Sequence, residues 1–293
     1  MNSGASLAGA VADLNVNGGT LTLNNAAQTI ENFNGSGGSV VLGAGHTLTT
    51  DSVANASYAG TISGSGGLTK ANGTNAAGFS LTLTGNNTYT GPTTLNGGSI
   101  VANATTGQAL GGTGSLTVNS PGGISSVFSL GKNDQLKDTA TVTLNGGTFN
   151  TAGFSEGSAD GSGNGVAGAG PMTLASNSII DLGAGASILA FADSSAATWT
   201  GTALNVYNYT GNPDTGGGTD RLYFGSSAAG LTPAQLADIK FFSDAGTTPL
   251  GTGAAILPTG EVVPTTTGVP EPTSLATLGL GALALVGRRR RRA

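Results

Sequence analysis

The feature that most constrains this chain is a recurring short run of alternating β-formers broken by Asn and Gly. Examples are "LNVNGGTLTL" from Leu14, "TTLNGGSIV" from Thr93, "LTVNSPGGI" from Leu116 and "VTLNGGTF" from Val142. Period-two alternation marks half-buried strands. Gly supplies the φ > 0 corners between them, and Asn tolerates the left-handed region. Asn96, Asn119 and Asn145 lie 23 and then 26 residues apart. That interval suits one coil of a stacked parallel array, in which each Asn can hydrogen-bond its stacked neighbour. Asn-Gly is also the preferred type I′ hairpin turn, so the same segments read alternatively as antiparallel pairs. Stacked coils are favoured, because hairpins need a second apolar layer. Leu, Ile, Val and Phe make only 62 of the 293 residues, whereas Gly alone makes 52. A quasi-one-dimensional fold needs less apolar bulk than a globule. Coils of ~24 residues over 14–190 would number about seven and span roughly 35 Å.

The formal charge of −5 conceals a more acidic body. Five of the six arginines are Arg288, Arg289, Arg290, Arg291 and Arg292; the rest of the chain carries four Lys and Arg221 against 15 acidic residues. Nucleic-acid binding needs phosphate-neutralising cations and is set aside. There is no cysteine, which excludes disulfides, thiolate metal sites and a Cys nucleophile. The opening "MNSGASLAGAVADLNVNGG" has neither a basic n-region nor a sustained apolar stretch, so it is not a standard secretory signal.

Residues 60–103 contain "GSGGLTK", "LTLTGNNTYTG" and "LNGGSIVAN". This segment resembles the autotransporter-associated β-strand repeat, which implies single rungs of a β-helical surface protein. One copy is clear, and no barrel translocator follows it. The stretch 156–170, "EGSADGSGNGVAGAG", reads as an aperiodic loop. Residues 199–257 then form an expected C-terminal cap. Trp199, Tyr207, Tyr209, Tyr223, Phe224, Phe241 and Phe242 concentrate there, and "LTPAQLADI" reads as a short helix. Thr232 is its expected N-cap, Pro233 its first residue and Gln235 the partner in a capping box, with Leu231 and Leu236 as a staple. Residues 258–273 are Pro/Thr-rich and read as an extended linker.

The tail is "VPEPTSLATLGLGALALVGRRRRRA", residues 269–293. Leu275 to Gly287 carries no charge. As a helix it would span roughly 20 Å, short against a ~30 Å hydrocarbon core. The arginine cluster would stay cytoplasmic, leaving the body across the membrane. Pro270 and Pro272 keep the approach extended. The order Val269, Pro270, Glu271, Pro272, apolar run, arginine cluster resembles the PEP-CTERM sorting signal. That resemblance implies transient anchoring of an exported precursor in the inner membrane. It also implies removal of the tail by an exosortase near Pro270, Glu271 and Pro272, with Arg288 through Arg292 as the retention signal. Such a precursor is expected to begin with an export signal; the opening reads as a fragment or a misassigned start, and a true start at Met1 would speak against secretion.

Catalytic chemistry finds little purchase. His46 is the only histidine, which rules out a multi-His metal site or a His-based triad within this chain. Acids are scattered; Asp181 and Asp193 are the pair a half-coil apart. "TGGGTDRLY", residues 215–223, partly matches a calcium-binding nonapeptide but is one imperfect copy, and reads as a Gly-rich turn. Trp199, Tyr207 and Tyr209 are candidate sugar-stacking residues, with core packing of the cap the favoured reading. The expected fold is all-β: an unstructured or truncated start at 1–13, a parallel β-helix or solenoid-like body at 14–198, a small β-rich cap with one short helix at 199–257, the linker, and a short transmembrane helix within 274–293. The expected role is non-enzymatic, structural or adhesive, without metal or cofactor. The expected partners are exosortase and exopolysaccharide. A polysaccharide-binding module using the C-terminal aromatics is the second reading, and a polysaccharide hydrolase or lyase the third.

Overall fold

The structure, a computed structural model of the chain, describes residues 12–24, 27–71 and 78–266. These are almost wholly β, with one α-helix, Pro233–Ala237, and one 3-10 turn, Pro121–Gly123. Two long sheets dominate. The first runs, in order, Ala56–Tyr58, Ser80–Leu83, Gly98–Ala102, Ser126–Leu130, Thr148–Asn150, Ser178–Asp181, Leu204–Tyr207, Ile239–Phe242 and Pro249–Leu250. The second runs Gln28–Ile30, Thr47–Thr50, Gly67–Lys70, Thr93–Leu95, Ser115–Asn119, Thr141–Asn145 and Met172–Ser176. Spatial order follows chain order in both. Every pairing is parallel except the last of the first sheet, Phe241↔Leu250. From Thr47–Thr50 to Ser178–Asp181 the chain therefore alternates between the two sheets and returns one position further along each time. The Asn-Gly segments accordingly do not close hairpins: Thr93–Leu95 and Gly98–Ala102 flank "NG" and lie in different sheets.

Register keeps side chains of one kind in columns. Leu81, Ile100, Phe128, Phe149, Ile180, Val206 and Phe241 stack inward along the first sheet. Leu95, Val118, Leu144 and Leu174 do so along the second, and all eleven are buried. The rings of Phe128 and Phe149 lie 5.1 Å apart, and Phe191 continues the series 6.0 Å from Phe149. Outward, Thr29, Thr49, Thr69, Thr94, Thr117, Thr143 and Thr173 form one threonine column. β-Branched side chains suit such a pleated, half-exposed surface. Glycine is required where successive turns touch: Gly64 has φ 95°, and a Cβ there would fall 2.1 Å from the Leu42 carbonyl oxygen.

Two segments differ from the sequence expectation. The expected loop 156–170 holds an antiparallel hairpin, Gly157–Ala159 with Gly165–Ala167. Its small residues carry no apolar period, but Asp160 Oδ1 closes the turn by accepting the Ser162 and Asn164 N–H groups. The first part of the expected linker 258–273 is the buried strand Glu261–Thr265, antiparallel to Asp220–Phe224 and to Gly253–Ile256. Val262 and Val263 are fully buried there and outweigh the Pro/Thr composition. Parallel pairing also continues past residue 199, through Leu204–Tyr207 to Ile239–Phe242. The helix is capped as expected: Thr232 Oγ1 accepts the Gln235 N–H, and Gln235 Oε1 accepts the Thr232 N–H at 2.7 Å.

Corners between the sheets are closed by buried polar side chains. Asn87 accepts from the Ile62 N–H at 2.7 Å and donates to the Ala109 carbonyl at 2.8 Å. Gln135 Oε1 accepts the Ala104 N–H at 2.6 Å. Glu156, 0% exposed, accepts the Gln135 N–H at 2.8 Å and the Leu136 N–H at 3.2 Å. Burial pushes its carboxyl up to about 8, against the two N–H donors; nearby Asp134 and Asp138 push the same way.

Two predictions follow from this packing. Phe149→Ala is expected to cost about 3–5 kcal/mol, since it opens a cavity in a continuous ring stack; urea unfolding measures it. Glu156 binds its proton more tightly folded than unfolded. The stability it contributes is complete below pH ~4.5 and is lost as pH rises through ~8. Glu156→Gln should flatten the fall in melting temperature between those values, while lowering stability overall because its amide nitrogen faces one of the two N–H donors.

Candidate functional site

The sorting-motif residues Val269, Pro270, Glu271 and Pro272, and the cluster Arg288, Arg289, Arg290, Arg291 and Arg292, lie outside the described residues. Among the described residues, no helix is long and apolar enough to cross a membrane.

The aromatic candidates do not form one platform. Tyr209 is 1% exposed, its ring 4.8 Å from Phe241 on the inward side. Tyr207, two residues earlier, is half-buried and meets Phe242 edge-on at 5.4 Å. Trp199 donates its Nε1–H to the Met172 carbonyl at 3.2 Å and packs edge-on against the buried Phe224. A sugar-stacking site needs an open ring face, which Tyr209 lacks; core packing accounts for it and for much of Trp199.

The remaining chemical candidates are tied into structure. Asp181 Oδ1 accepts from the Gly183 N–H and Asn208 Nδ2. Asp193 Oδ1 accepts from the Ser195 N–H and hydroxyl. In "TGGGTDRLY", buried Asp220 accepts the Ser187 N–H on one oxygen and the Thr210 N–H and hydroxyl on the other. Burial raises its carboxyl above the usual range, opposed by those donors. Arg221 pairs with buried Glu261 at 3.0 Å and lies over the Tyr223 ring at 5.0 Å. Both Arg221 and the Tyr223 hydroxyl donate to the Gly163 carbonyl, pinning the hairpin turn. His46 follows a tight turn, its N–H donating to the Gly43 carbonyl. No group of three or more His, Asp or Glu able to hold a metal occurs among the described residues.

What the geometry does assemble is a row of amides. Asn119 Nδ2 donates to Asn96 Oδ1 at 2.8 Å, Asn145 Nδ2 donates to Asn119 Oδ1 at 3.0 Å, and Ser176 Oγ donates to Asn145 Oδ1 at 2.8 Å. The row lines an open groove of about 350 Å³, walled on one side by Ser120 and Pro121. An amide has two donors and two acceptor lone pairs, so Asn119 and Asn145 each keep one of each beyond the ladder. The lining is uncharged. The asparagine spacing was legible in the sequence. The groove was not, because its wall is the Pro121–Gly123 turn, an insertion confined to one rung.

Comparison with known proteins adds one finding. The family model of the PEP-CTERM protein-sorting motif matches residues 268–292. No family model matches the segment that resembles the autotransporter-associated repeat. No curated protein and no solved structure matches the chain. The chain thus carries a PEP-CTERM sorting motif immediately after an all-β body.

Proposed function

We propose that this is a non-enzymatic exported protein of the cell surface or extracellular matrix, anchored briefly in the inner membrane and released by an exosortase at its C-terminal tail. The observation that carries this reading is the sorting-motif match at 268–292. Its arginine cluster keeps one end cytoplasmic and directs the body outward. In-register parallel strands, visited alternately in two sheets, support a β-helical body with a structural role. Parallel rungs run on to Ile239–Phe242, and the antiparallel strands Pro249–Leu250, Gly253–Ile256 and Glu261–Thr265 close the far end. Mass spectrometry of the extracellular or surface fraction should find a C-terminus near residue 270. Intact chain confined to the cytosol, with its arginines attached and no trimmed form, would overturn the reading.

The adhesive part of the role rests on the threonine column and the amide groove. Both present neutral hydrogen-bonding groups at the ~4.8 Å strand spacing, which suits a hydroxyl-rich, uncharged glycan. Without an aromatic platform each contact is weak, and avidity along the array makes up for it. The expected partner is exopolysaccharide. Pull-down by neutral exopolysaccharide should survive Trp199→Ala and fail when Asn119→Ala and Asn145→Ala are combined. The reverse pattern would favour the aromatic site.

A further inference from the structure

The chain leaves the described body at a fixed point. Asp214, in the left-handed region at φ 61°, accepts the Thr266 N–H at 2.9 Å on one carboxylate oxygen and the Thr266 hydroxyl on the other. Its own N–H donates to the Pro264 carbonyl at 3.0 Å. From the other side, the Thr252 N–H donates to the Thr265 carbonyl at 2.8 Å, and Gly253 pairs with Thr265. Thr265 and Thr266 are therefore held on two flanks, one of the holds being charge-assisted.

Only Thr267, Gly268 and Val269 separate Thr266 from Pro270. Four residue steps reach at most roughly 14 Å, at ~3.6 Å per residue fully extended. A protease cleft takes several substrate residues in extended form. With so short a leash, the enzyme cannot engage the motif without abutting the end of the body, and engagement deepens once the clamp opens.

We propose that the Asp214–Thr266 clamp gates removal of the tail, and that the end of the body around Gly251–Gly253 and the 212–218 turn is the surface the membrane protease meets. This rests on the processing reading above. The exposed rim at Thr252 and Gly253 carries no charge of its own, and the 212–218 turn contributes the exposed carboxylate of Asp214.

The test uses the full-length precursor produced with an exosortase and followed by pulse-chase. Asp214→Gly removes the carboxylate while keeping the left-handed backbone at no steric cost. It should speed trimming about tenfold, the loss of one charge-assisted hold. Asp214→Asn keeps an acceptor for the Thr266 N–H but loses the charge, and should fall between the parent rate and that of Asp214→Gly. About eight Gly/Ser residues inserted after Thr266 should give the same gain as Asp214→Gly. Gly253→Trp, whose added Cβ meets only Thr265 Oγ1 at 3.5 Å, should slow trimming on the native leash and not on the long one. A melting curve for each precursor confirms that it folds. Equal rates for all of them would overturn the proposal. Digestion of the purified precursors with a proline-specific endoprotease reads the leash without any exosortase. If the same ranking appears there while exosortase trims none, the clamp stands and the processing reading fails; equal digestion rates would sink the clamp.

Discussion

Everything in this molecule depends on parallel, in-register pairing between one passage of the chain and the next. Because the side-chain period of a strand is two, a slip of one residue would turn every Leu, Ile and Phe of a rung outward. The Leu81-to-Phe241 column fixes that register on one sheet, and the Asn96–Asn119–Asn145 ladder repeats the instruction at the corner of the other. One device is apolar and non-directional, the other polar and directional. Their agreement lets a chain so poor in large apolar residues settle on one alignment.

A narrow core leaves little room to hide polar backbone at the bends. Asn87, Gln135, Glu156 and Gln235 meet that need by reaching across to N–H or carbonyl groups of neighbouring turns. An unsatisfied buried amide costs about 1–3 kcal/mol, so these few side chains matter more than their number implies. Glu156 is the extreme case: a carboxyl group away from water, held by two main-chain donors with no cation among its hydrogen-bond partners. The opposite arrangement holds at Glu261, where Arg221 is directly paired.

Much of this architecture was legible before any coordinates. Strand periodicity, the 23- and 26-residue asparagine interval, and the cap on Pro233–Ala237 all follow from local rules, and each is met in place. What the sequence hid has a common cause. The 157–167 hairpin is built mostly from Gly, Ser and Ala and is fixed by Asp160 and by Arg221 from far along the chain. Glu261–Thr265 looks like linker by composition and becomes a strand because two partners flank it. In each case long-range contact overrode a local cue, and one sequence without partners in view cannot display that.

Asn-Gly carries a chemical liability apart from folding: the glycine nitrogen can close onto the asparagine side-chain carbonyl, expel ammonia and leave an isoaspartyl kink. At Asn145 both participants are occupied. The side chain is held by Asn119 and Ser176, and the Gly146 N–H is given to Ser178 Oγ at 2.9 Å. The ladder thus shields its own corner from spontaneous ageing, an asset for any molecule that must last where no ribosome can replace it.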